Sequence, residues 1–305
     1  MPTKETLSRA LIVLLLCFLL LGCATAEEAL PQMTTVTFPA ESTAALPENP
    51  KEHYPPNELG FGGDSLSYHD ASMDIRLHRI RAYDTPIVVA FVQLANPGQI
   101  KTEQARPYPS KATLRADEIS KRVKAVLSVN ADWFTYHNTG IVYRNGVLLR
   151  NRSDNSFDGL AIDIHGDFHI VRPMTEENYA KLTTPIAHSF AFGPALVIDG
   201  EIQENPDRKV TYKQRMAIGQ IAPLCYVLAA TDGPDQKDSA GLSMTQLAEL
   251  MHGLGAHTAY NLDGGQSTTM MLHQTKLNGQ NSKRFRAVGD ILYFITAIPG
   301  GAAAQ

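Results

Sequence analysis

Two adjacent β-patterned runs constrain this chain more than any other feature. "SMDIRLHRI" (Ser72–Ile80) alternates apolar and polar side chains, and after a "DTP" turn "PIVVAFVQLA" (Pro86–Ala95) is nearly continuously apolar. A period of two belongs to strands and a turn between such runs makes them sheet neighbours. "LAIDIHGDFHIV" (Leu160–Val171) reads as another hairpin, turning at Gly166–Asp167. With 305 residues, 44% of them apolar, the chain has material for a substantial core. The expected fold is α+β: a single domain with a strand-rich mixed sheet core and a few helices.

Helix signals are sparse. Leu114, Ile119 and Val123 share a helical face and lead into the strand "AVLSV", which delivers Asn130-Ala131-Asp132 to a strand end. A second helix starts at Ser243, an N-cap with Gln246 three residues on as a capping box. Met244, Leu247, Leu250, Met251 and Leu254 line its apolar face, and Gly253 and Gly255 stop it.

The N-terminus reads as an address. Lys4 and Arg9 precede "ALIVLLLCFLLLGC", so residues 1–22 are expected to be a signal peptide. Leu20-Leu21-Gly22-Cys23 resembles a bacterial lipobox, which would place lipid on Cys23 and anchor the protein to a membrane at the bacterial cell envelope. Residues 23–60, rich in Ala, Thr, Glu and Pro, are expected to be a disordered tether, 61–298 the folded domain and 299–305 a flexible tail. Cys225 then has no intrachain partner and reads as strand packing. A net charge of −4 without a basic block argues against nucleic acid as a partner.

"AYNLDGGQSTTMML" (Ala259–Leu272) sits between the second helix and a β-branched run. Asp263 falls on a tight turn at the end of a short strand. Gly264 and Gly265 permit positive φ and close approach of a ligand to the backbone, and Ser267, Thr268 and Thr269 offer hydroxyls on a departing strand. An isolated Asp-Gly-Gly is more often an ordinary hairpin turn; its companions change the balance.

Those companions are "VNADWF" (Val129–Phe134), "FGPALVIDGEI" (Phe192–Ile202), "QRMAIGQ" (Gln214–Gln220), "TDG" (Thr231–Gly233), the block Gly241–Met270 and "RAVGDILYF" (Arg286–Phe294). Together they resemble the phosphodiester glycosidase family over roughly residues 68–297, in the manner of an exported bacterial member. Ala131 stands where the family usually has Gly, and Gln266 where a third Gly is common. The resemblance implies an enzyme, a hydrolase that cuts between a sugar's anomeric carbon, as in N-acetylglucosamine, and a phosphodiester, here on cell-envelope glycans. The leaving phosphate monoester, with a second pKa of about 6, needs little help from a general acid. It needs positive charge, and Arg215 is the first choice with Arg286 behind it. Asp263 is the first choice for the carboxylate that activates water or stabilises an oxocarbenium-like transition state, and Asp132 the second. Asn130 and Asn261 would orient them, and Trp133 would form a platform under the sugar.

Asp163, His165, Asp167 and His169 have spacing that a hairpin turn explains better than a metal does. Asp232, in "TDG", is a candidate cation ligand or a turn residue. No cofactor is required by the sequence. Two other readings stay open: a non-catalytic envelope protein that binds phosphosugar polymers in exopolysaccharide or wall assembly, and a metal-dependent phosphodiesterase.

Overall fold

The computed structural model describes residues 29–39, 53–63, 66–204, 210–279 and 286–299. The signal peptide, Cys23, the stretches 24–28 and 40–52 of the expected tether and the tail from 300 lie outside them. Residues 1–31 and 32–305 group as separate units, and every helix and strand among the described residues belongs to the second.

The first hairpin is as the pattern requires. β1 (Ser67–Asp70), β2 (Met73–Ala82) and β3 (Thr85–Leu94) form a meander, with Tyr83 and Asp84 at positive φ in the β2–β3 turn. β4 (Ile100–Gln104), β5 (Leu114–Arg115) and helix α1 (Ala116–Arg122) follow, then β6 (Leu127–Asn130) and the hairpin β7 (Gly140–Arg144) and β8 (Val147–Arg152). β9 (Gly159–Asp163) and β10 (Phe168–Val171) pair around Gly166 at φ +86°, and the short α2 (Glu176–Tyr179) leads to β11 (Ile186–Phe190). β12 (Ala195–Ile198) and β13 (Glu201–Ile202) turn at Asp199-Gly200. β14 (Met216–Ala222), β15 (Cys225–Thr231), α3 (Met244–Gly253), β16 (Thr258–Leu262), β17 (Met270–Leu272), β18 (Thr275–Lys276), β19 (Ala287–Val288) and β20 (Asp290–Phe294) complete the order.

Two large sheets enclose the core. One has the order β1-β2-β3-β15-β14-β16-β12-β13, the other β18-β17-β6-β20-β4. The apolar cluster between them takes Ile75, Val92, Leu228 and Ile218 from the first and Leu127, Val129, Met270, Leu292 and Phe294 from the second. The period of two then sends Ile291 and Tyr293 to the opposite face of β20, where Ile119 of α1 and Val123 at its C-cap cover them. α3 packs outside β12, β14 and β16. Gly219 of β14 has no side chain because a Cβ would lie 2.8 Å from that of Ala256.

The expected α+β, strand-rich single domain is what forms. All strand pairings among the described residues are antiparallel, so the sheets are not of mixed direction; hairpins such as β2–β3, β7–β8 and β14–β15 join neighbouring strands. The Ser243–Gln246 capping box is present in both directions. Leu114 lies in β5 ahead of α1 yet still packs on the same cluster as Ile119. Cys225 is buried in β15 with no disulfide. Part of the segment expected to be tether contacts the sheet: Val36 exchanges two hydrogen bonds with the Gln93 side chain, at 2.7 Å each, and His53 is buried against Tyr293.

Candidate active site

Strands of both sheets end together at one edge of the core. Leu262 of β16 pairs with Met216 of β14, so Asp263 emerges beside Gln214 and Arg215; Asn130 of β6 pairs with Ile291, so Ala131 and Asp132 emerge beside Asp290. The segment from Asp263 to Thr269 crosses from one sheet to the other. Asp263 N–H donates to Ala131 O at 3.1 Å, which fastens the crossing to the β6 end.

Asn130 laces this loop. Its amide nitrogen donates to Asp263 O at 2.6 Å and its oxygen accepts from Thr269 N–H at 2.9 Å, so one side chain grips both ends of the crossing. Gly264 approaches the preceding strand so closely that a Cβ would lie 2.7 Å from Gln214 O. Gly265 has φ +60°, and its N–H donates to the same carbonyl at 2.9 Å. The two glycines thus do separate jobs, close approach and a left-handed turn. Ser267 to Thr269 are not the start of a strand as expected: Gly265–Ser267 is a 3-10 turn, and β17 begins at Met270. Ser267 and Thr268 are consequently buried under the loop. The departures Ala131 and Gln266 are accommodated, the first buried with its backbone bonded, the second exposed.

Asp263 is partly exposed on this loop. Burial pushes its carboxyl above the ordinary range, opposed by the Ser267 hydroxyl and the Arg286 charge and reinforced by Asp132. Arg286 is exposed. Beneath the loop, Asn261 Oδ1 and the hydroxyls of Thr268 and Thr269 are buried without hydrogen-bond partners, while Asn261 Nδ2 donates to Gly193 O at 2.7 Å. Trp133 is exposed, its ring 4.8 Å from Tyr136 and edge-on to His137 at 5.6 Å.

Three expected roles change. Asp132 is not poised to meet a substrate: its side chain is 0% exposed, Oδ1 accepts from Arg144 Nη2 at 2.7 Å and Phe134 N–H at 3.2 Å, and Oδ2 from Ala191 N–H at 2.7 Å. Arg144, 1% exposed, also binds Asp290 Oδ2 through Nε at 2.9 Å and Nη2 at 2.8 Å, so Asp132–Arg144–Asp290 is an ion-paired triad inside the protein. Burial drives the Asp290 carboxyl upward against the pull of Arg144. Sequence reasoning missed Arg144 and Asp290; the available signal was an Arg in a β-patterned run and an Asp at the head of an apolar strand. Arg215 is buried, donating from Nε to Leu242 O at 2.9 Å and from Nη2 to Thr211 O at 2.6 Å, so it braces the backbone around Gln214. Asp232 is buried too, accepting Gly279 N–H at 2.9 Å, and among the described residues no cluster of His, Cys, Asp and Glu has a metal-holding arrangement. In the β9–β10 turn, Asp163 Oδ1 accepts from the His165 and Asp167 amides and Oδ2 pairs with His169, as a hairpin requires.

The model of the phosphodiester glycosidase family matches residues 123–295, which takes in β6, the glycine loop and β20. The chain belongs to the phosphodiester glycosidase family. A comparison with curated proteins gave no match. Among solved structures, the zebrafish N-acetylglucosamine-1-phosphodiester alpha-N-acetylglucosaminidase catalytic domain, auto-inhibited by its pro-peptide, is similar at a TM-score of 0.59 and 19% identity, over 73% of this chain and 82% of that one. A hypothetical protein from Synechocystis is similar at a TM-score of 0.51 and 14% identity, over 73% and 62%. At these identities the likeness is one of fold.

Proposed function

We propose that this protein hydrolyses the bond between a sugar's anomeric carbon and a phosphodiester, with Asp263 as the general base. The carrying observation is Asp263 itself: a partly exposed carboxylate on a glycine loop, made more basic by burial and faced by the exposed cation Arg286. A water beside Asp263 gives it a proton and adds its oxygen to the anomeric carbon. The C–O bond to phosphorus breaks, and its electron pair leaves on the phosphate monoester, whose charge Arg286 balances. Arg286 thereby takes the role expected of Arg215, since it is accessible and Arg215 is enclosed by backbone. Trp133 offers an apolar face to a sugar ring. The reaction as written draws on no cofactor.

The family and the substrate in the zebrafish enzyme's name make an N-acetylglucosamine phosphodiester the first compound to offer. The signal-like N-terminus and Cys23 support placing the protein at a bacterial envelope under a lipid anchor, with phosphosugar polymers as its substrates.

The purified protein incubated with that diester in oxygen-18 water is expected to release free sugar carrying the label and unlabelled phosphate monoester. Asp263→Asn should lose turnover with little change in melting temperature. Label in the phosphate would mean cleavage at phosphorus and overturn the proposal. Saturable binding without product, unaffected by Asp263→Asn, would identify a binding protein instead.

A further inference from the structure

A cavity of about 180 Å³ lies between the Tyr108–Lys111 turn, the Phe134–Asn138 segment and the β8 strand. Lys111, Arg150, Arg152 and His137 line it, and among the described residues no carboxylate does. Arg150 is 7% exposed and fixed by backbone carbonyls: Nε donates to Gly140 O at 3.2 Å, and Nη1 to Phe134 O at 2.8 Å and His137 O at 2.6 Å. Its Nη2 is buried with no partner, and so is the hydroxyl of Thr135, another lining residue that is 4% exposed. Buried donors are rarely left unpaired. A guanidinium held by neutral carbonyls keeps its charge for something else, and the carboxylate that acts on it, Asp132, is already engaged by Arg144.

We propose that this cavity is a second anion subsite, binding a phosphoryl group. The charges of Lys111, Arg150 and Arg152 around one cavity suit the oxygens of such a group. The subsite is separate from the one proposed at Asp263, since neither Asp263 nor Arg286 lines the cavity. His137 lines the cavity and packs edge-to-face on Trp133, ring centroids 5.6 Å apart. Resting on the glycosidase reading, the occupant is the next phosphate along a phosphosugar polymer whose sugar lies on Trp133.

Trp133 is the only tryptophan in the chain, so its fluorescence, with calorimetry, reads the titration. Orthophosphate, methyl phosphate and dimethyl phosphate are the probes. Saturable binding of methyl or dimethyl phosphate is expected. Lys111→Gln/Arg152→Gln, two exposed positions, should weaken it at least about tenfold, as lost charge-assisted hydrogen bonds do. Thr135→Val should weaken it less. No saturable binding, or equal affinity in the double variant, overturns the subsite. Binding of orthophosphate alone overturns the polymer assignment. If the wild type binds these probes yet releases no sugar, the subsite stands and the hydrolytic reading fails.

Discussion

Replacing Arg144 by Met should destabilise the protein by about 3–5 kcal/mol, the cost of breaking a buried ion pair from one side. The two carboxylates it leaves behind are not equivalent. Asp132 keeps the amides of Phe134 and Ala191. Asp290 loses both Arg144 contacts at Oδ2, and its Oδ1 has no partner to begin with, so the penalty falls chiefly there. For a domain of this size each kcal/mol moves the midpoint by about 2–4 °C, which puts the fall at about 6–20 °C. Adding Asp290→Asn to Arg144→Met should recover more of it than adding Asp132→Asn, a comparison calorimetry of the three variants makes directly. The loss also depends on pH. The folded-state pKa of Asp290 is raised above its unfolded value, so protonation stabilises the fold at low pH and that contribution fades as pH rises through the folded value. Without Arg144 the folded value rises further, and the variant should therefore be closer to wild type at pH 5 than at pH 8. A fall below about 2 °C, or one equal at both pH values, would refute the triad as a stabilising unit.

The glycine loop and the base make further predictions. Gly264→Ala puts a methyl 2.7 Å from Gln214 O and should cost about 1–3 kcal/mol while displacing Asp263, seen as a lowered midpoint together with lost turnover; an active, equally stable variant would contradict the close approach. Because Asp263 is pushed upward by burial, the acidic limb of the pH–rate profile should rise with pH around a midpoint above the ordinary carboxylate value; a limb at or below pH 4 would rule Asp263 out as the base. Asn130→Ala removes two bonds that hold the loop and should lower both stability, by about 1–3 kcal/mol, and turnover; loss of neither would show that the lacing is dispensable.

Local features of the fold were legible in the sequence. The Ser243 capping box, the Gly166 turn and the β2–β3 hairpin are set by residues within a few positions of one another, so their signals survive without a structure. Asp263 was legible for the same reason, since Asp-Gly-Gly after a short strand already describes its turn. The fates of Asp132 and Arg215 were not. Whether a carboxylate meets solvent or a buried guanidinium depends on Arg144, 12 residues away on another hairpin, and on Asp290, 146 residues from Arg144. Arg215 is enclosed by Leu242 O and Thr211 O, contacts with carbonyls that no side-chain pattern records. The cavity beside Arg150 needed three chain segments to be placed before its lining had one sign of charge.

The grip of Asn130 on a loop 133 residues downstream has a consequence for biosynthesis. During synthesis β6 is made long before its partners, and the site-forming crossing cannot be fastened until β16 and β17 exist. Asp290 closes the buried triad only a few residues before the last strand ends. Contacts of such separation pay their loop-closure entropy late. A chain still emerging is therefore without its candidate active site until the strand that carries Asp290 has been delivered, so any activity of that site reports on chains synthesised through β20.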